Sequence, residues 1–165
     1  MSAPMPDDLL ERAVAESRAQ TAAALRDALR NASPAVLAKL AVDLVPPLFR
    51  NDYRGQPAQS GEGWADAIAQ PSVAALPFFL VRVHLGTFAP GAVEGLRAAM
   101  RTVPAAQAAL VVIGPPVASD VRDALGTAVP WIVDIDGLIH LMIGAKVGVG
   151  SRICEVTHID AGYFR

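Results

Sequence analysis

Cysteine is nearly absent from this chain: Cys154 is the only one in 165 residues. A lone thiol closes no internal disulfide, so the fold must rest on its core, and the usage suits a reducing, cytoplasmic setting. Lysine is scarce as well. Two Lys and twelve Arg stand against sixteen acids, giving a formal net charge of -2 and a pI near 5.9. Without a global positive field to draw a phosphate backbone, contact with DNA has to be local or shared with a partner. Long apolar runs are missing too. Phe78–Val81 ends at Arg82 and Ala108–Ile113 ends at Gly114, far short of the roughly 20 residues that span a bilayer, so no membrane partner is expected. The chain opens on Asp7, Asp8 and Glu11 before any apolar stretch, unlike the basic-then-apolar start of a secretory leader. No segment recurs at a fixed period.

What is present is apolar material in abundance: 53% hydrophobic against 18% charged, enough for one core. From Asp7 to Asn31, Leu10, Val14, Leu25 and Leu29 recur at helical spacing in an Ala-rich background. This predicts a long helix that buries little by itself and depends on a partner surface, a second copy being one such surface. Residues 1–32 are accordingly read as a helical extension and 33–165 as the main domain. Ser33-Pro34 signals a helix start and Pro46-Pro47 a stop, with Val36, Leu37, Leu40, Leu44 and Val45 turned to a core. The Gly-, Pro- and polar-rich Asn51–Gly63 predicts a loop.

Beyond that loop the period shortens. Trp64–Ala69 and Pro77–Leu85 predict strands joined by hairpins, Ala89-Pro90 opens a helix to Thr102, and Ala109–Ile113 and Trp131–Ile135 predict buried strands. Between and after these last two, Ser119–Leu125 and Leu138–Ala145 predict helices. The expected fold is α/β, a central mixed sheet flanked by helices, antiparallel in its first half and parallel in its second.

Few constellations carry chemistry. Gly144, Gly148 and Gly150 follow a helix and lack the strand-to-helix setting of a phosphate loop, Ser151 is in no nucleophile elbow, and His140 and His158 have no acid or Cys at metal-ligand spacing. Arg50 with Arg54, and Arg97 with Arg101, form small basic pairs that can touch phosphate, with solvated charge as the default.

Taken together, LRDALRNASPAVLAKLAVDLV, WADAIA, FFLVRVH, ALVVIGPPVASDVRDAL, WIVDIDGLIHLMIGAKVGVG and the tail IDAGYFR resemble the Mrr-like restriction endonucleases of the PD-(D/E)XK superfamily. The resemblance runs from about Leu25 to Phe164. Its closing signature, an acid and glycine before an apolar helix and paired glycines, is the most specific part, and identifies a restriction-endonuclease-like fold better than an activity.

The resemblance implies a nuclease site in which carboxylates hold Mg²⁺ and a Lys positions the attacking water. Asp66 falls on the family's strand Asp. Arg82 and His84 stand where a Gln or Glu and a Lys belong, and Ala38 where a helix Glu belongs. Arg neither gives up its proton nor ligates a metal, so Arg82 puts a fixed positive charge in place of an oxygen ligand, and an Asp66–Arg82 ion pair is expected in place of a Mg²⁺ site. The expectation is a degenerate domain without nuclease activity or metal, acting as a binding or assembly module that associates with another protein or with itself through the N-terminal helices. Two alternatives stay open: an active Mg²⁺-dependent endonuclease using Asp66 with a relocated ligand such as Glu62, and a DNA-binding protein without cleavage that uses Arg82, Arg50 and Arg54.

Overall fold

The computed structural model describes residues 6–150. The tail motif IDAGYFR, with Ser151, Cys154 and His158, lies outside them.

Helix α1 (Pro6–Arg30) is followed by α2 (Pro34–Asp43) and α3 (Val45–Phe49). The Ser33 hydroxyl accepts from the Val36 amide at 3.3 Å, satisfying one of the free N–H groups at the start of α2, and Pro34 occupies its first turn. Pro46-Pro47 does end α2, but the chain starts the short α3 there, where prolines in a first turn sacrifice no helical hydrogen bond. Of the five residues expected to face the core, Leu37, Leu40, Leu44 and Val45 are buried, whereas Val36 is exposed.

The loop expected over Asn51–Gly63 is instead mostly strand β1 (Tyr53–Gly61). It pairs antiparallel with β2 (Trp64–Pro71) from Tyr53↔Pro71 to Gly61↔Trp64, with an irregularity between Pro57 and Ser60. β1 is the edge of the sheet and most of its residues are exposed. A strand wet on one face and one edge needs no apolar run, and Pro is tolerated there.

β3 (Phe79–Leu85) continues antiparallel to β2, while β4 (Gln107–Ile113) and β5 (Trp131–Val133) add in parallel, giving the order β1-β2-β3-β4-β5. The β3-to-β4 crossover is α4 (Pro90–Thr102). The β4-to-β5 crossover is α5 (Ser119–Leu125) with a 3-10 turn over Gly126–Ala128. β5 stops two residues earlier than expected. The Asp134 carboxylate accepts from the Gly137 amide at 2.8 Å and starts α6 (Ile135–Ala145).

The sheet separates two cores. On one face Ala65, Ala67, Ala69, Val81 and Val83 pack with Leu37, Leu44 and Val45 of α2 and α3, and with Leu138 and Met142 of α6. On the other face Leu80, Leu110 and Val112 pack with Val93, Leu96 and Met100 of α4 and Val121 and Leu125 of α5. The expected mixed sheet flanked by helices, with a helix before it, is therefore the observed architecture, consistent with a restriction-endonuclease-like core. α1 joins it through its second half only, packing on α6 with Ala22, Leu25 and Leu29, while Leu10 and Val14 stay exposed. No helix among the described residues is long and apolar enough to cross a membrane.

Candidate functional site

Alternation along a strand sends successive side chains to opposite faces. Ala65, Ala67 and Ala69 face α2, so Asp66 and Ile68 face α4. Val81 and Val83 face α2, so Leu80, Arg82 and His84 face α4. Antiparallel pairing then sets Asp66 directly opposite Arg82 and Trp64 opposite His84.

The opposed pair is closed. Arg82 Nε donates to Asp66 Oδ1 at 2.7 Å and Arg82 Nη2 donates to Asp66 Oδ2 at 2.6 Å, the two-pronged geometry in which guanidinium and carboxylate match best. Both residues are withdrawn from water, at 2% and 4% exposure. The guanidinium carbon lies 4.3 Å from the centre of the Trp64 ring, a cation–π contact on the side away from the sheet's alanines. Gly95 of α4 faces the same group: a methyl there would sit 3.6 Å from Arg82 Nη1, so a larger side chain would press on it. Burial is the larger influence on Asp66 and pushes its carboxyl upward; the hydrogen bonds and charge of Arg82 pull it back down.

Clefts flank the pair. One of about 430 Å³ is lined by Asp66 with Gln56, Gln59, Ile68, Gln70 and Phe78, under the C-terminal end of α4. The other, about 320 Å³, is lined by Arg82 with Trp64, His84 and Gly95. The floor shared by the two carries no net charge, because its ions neutralise each other.

His84 does not join the pair. Its Nε2 donates to the Thr87 carbonyl at 3.2 Å, and its ring meets Phe88 edge-on with centroids 5.1 Å apart. Burial holds its imidazole below the ordinary value of 6.5; the Thr87 carbonyl opposes this, and the Arg82 charge adds to it. The folded state thus prefers the neutral ring. The stability this contributes is complete above 6.5 and is lost as pH falls through the lowered value. Thermal unfolding from about pH 7 to about pH 5 should show His84→Gln losing less stability than the parent chain. Equal slopes would remove His84 from the titration.

The other expected residues lie elsewhere. Glu62 is exposed in the turn between β1 and β2, and lines neither cleft. Ala38 packs against the core on the opposite face of the sheet. Arg50 ends α3 with an exposed side chain, and Arg54, also exposed, is opposite Gln70, four positions along β2 from Asp66. Neither arginine lines the clefts beside the pair. Trp64 and Gly95, which complete the cage around Arg82, were not singled out by sequence reasoning. Trp64 was within reach of it, since a residue two before Asp66 on a strand shares its face.

A divalent metal does not fit this donor set. Both oxygens of Asp66 are taken by a permanent cation, and among the described residues no group of three His, Cys, Asp or Glu side chains converges. The arrangement can bury a neutral polar link between two strands and present uncharged clefts beside it. Comparison with protein-family models, with curated proteins and with solved structures finds no match to the chain.

Proposed function

We propose that the chain is a degenerate Mrr-like endonuclease domain that does not hydrolyse DNA and serves as a binding or assembly module. The observation that supports this is the two-pronged Asp66–Arg82 pair, buried at the position where the resemblance places a metal-binding carboxylate. Phosphodiester hydrolysis of this class needs a metal to carry charge on the phosphate and to make hydroxide from water. A carboxylate whose lone pairs already hold a guanidinium supplies neither the site nor the charge. The net charge of -2 points to protein rather than bare DNA as the partner.

Methylated and unmethylated plasmid, incubated with the chain in Mg²⁺ or Mn²⁺, is expected to remain supercoiled. Metal-dependent cutting that disappears in Asp66→Asn would overturn the reading in favour of an active nuclease. A salt titration of DNA binding completes the test: the expected result is no specific affinity. Tight binding whose logarithm falls steeply with salt would move the reading to a DNA-binding protein that does not cleave.

A further inference from the structure

Helix α1 is 25 residues long, about 37 Å at 1.5 Å per residue. From Asp8 to Gln20 every residue is exposed, including Leu9 at 53%, Leu10 at 49% and Val14 at 43%. A helix gains most of its stability by packing an apolar stripe, and an isolated stretch of this length is marginal in water. The first half of α1 has such a stripe, and no other described residue packs against it.

Charge is divided along the same helix. Its first twelve residues hold Asp7, Asp8, Glu11 and Glu16 against Arg12, while the remainder holds Arg18, Arg26 and Arg30 against Asp27. The second half forms one wall of a groove of about 610 Å³ whose other wall is α6. Its floor is apolar, with Ala22, Ile139 and Ile143, and Arg18 and Arg26 stand on it. Arg26 is bonded to Asp136 across the groove, whereas Arg18 has no carboxylate partner among the described residues. An acidic, apolar half-helix and an apolar groove whose uncompensated charge is the Arg18 guanidinium thus sit at successive positions on one element.

We propose that two copies of the chain pair with their α1 helices antiparallel, the protruding half of each lying in the α1–α6 groove of the other. This rests on the reading of the chain as an assembly module and deepens it by naming the partner. Antiparallel packing brings Asp8 and Glu11 of each copy toward Arg18 in the groove of the other, sets the two helix dipoles in opposition, and satisfies both half-helices at once. Occupant and groove belong to the same surface, so the contact closes on itself with two-fold symmetry. A parallel arrangement would place acid on acid and leave both grooves empty.

Sedimentation of the full chain should give twice its 17.2 kDa. Reversing the acids, Asp8→Lys with Glu11→Lys, should weaken pairing about tenfold or more, and so should Arg18→Glu alone, because each sets like charges together. All three positions are exposed, so circular dichroism of each variant should match the parent. Mixing the two variants supplies the decisive arm. In the mixed pair, reversed acids meet the reversed groove on one side and native acids meet the native groove on the other, so pairing should return. A monomeric parent, pairing indifferent to the reversals, or no recovery on mixing would each overturn the proposal. The plasmid assay is independent of the outcome: a dimer that cuts DNA would refute the inactive reading alone, and a monomer that does not cut would refute the pairing alone.

Discussion

Asp66→Ala is expected to lower folding stability by about 3–5 kcal/mol, as is Arg82→Ala, with urea denaturation as the measurement. Each substitution leaves one ion inside the protein without its partner, and a lone buried charge costs far more than the ion pair contributes. The size of the effect follows from the burial of both groups: among the described residues no second carboxylate bonds Arg82, which otherwise meets the Trp64 ring and lies near Gly95 of α4. Replacing both together, Asp66→Leu with Arg82→Met, should return stability to within about 1–2 kcal/mol of the parent or above it, since desolvation of the two ions disappears along with their attraction. Two single substitutions that cost under about 1 kcal/mol, or a double that costs their sum, would show that the pair is solvated and not sealed.

Gly55→Ala should cost about 3 kcal/mol, for a reason of space and not of charge. A methyl on Gly55 would collide with the backbone carbonyl of Val42 at the end of α2, and backbone cannot step aside as a flexible side chain can. The α2–β1 approach would have to open, moving the helix whose Leu37, Leu40 and Leu44 close one face of the sheet. Gly91→Ala provides the control. It lies in α4, an added methyl meets nothing within 4 Å, and stability should hold or rise by up to about 1 kcal/mol, since Ala loses less backbone entropy than Gly on folding. A Gly55→Ala chain as stable as Gly91→Ala would mean that α2 does not sit so close to β1.

That glycine also explains what sequence reasoning could and could not reach. In NDYRGQPAQSGEG, Gly55, Pro57 and Gly61 read as loop punctuation, yet Gly55 admits a helix, Pro57 tolerates a sheet edge, and Gly61 makes room for the Trp64 ring. Each of those uses depends on a neighbour that composition does not reveal. The strand buried on both faces was legible because ALVVI leaves no other role for such residues. The helix starts were legible because Ser33-Pro34 and Ala89-Pro90 act locally. At the candidate site, Asp66 and Arg82 came from the resemblance, and their sixteen-residue separation did not by itself say that they would face each other. The pairing of β2 with β3 decides that, and pairing is a property of two segments rather than one. Val36 shows the converse error: helical spacing identifies a stripe but not which of its residues the core reaches.

The cross-strand position of the ion pair has a last consequence, for folding. β2 and β3 are rich in alanine and valine on the α2 face, side chains so alike that shifted alignments of the two strands would bury similar apolar area. A slip by one residue would turn one ion toward Leu37 and Leu44, and a slip by two would set Asp66 against Leu80 or His84 and Arg82 against Trp64 or Ile68. Every such misalignment strands two ions in a dry interior, and only the native one unites them. A pair that adds little to the depth of the native well can in this way widen the gap between it and its nearest competitors.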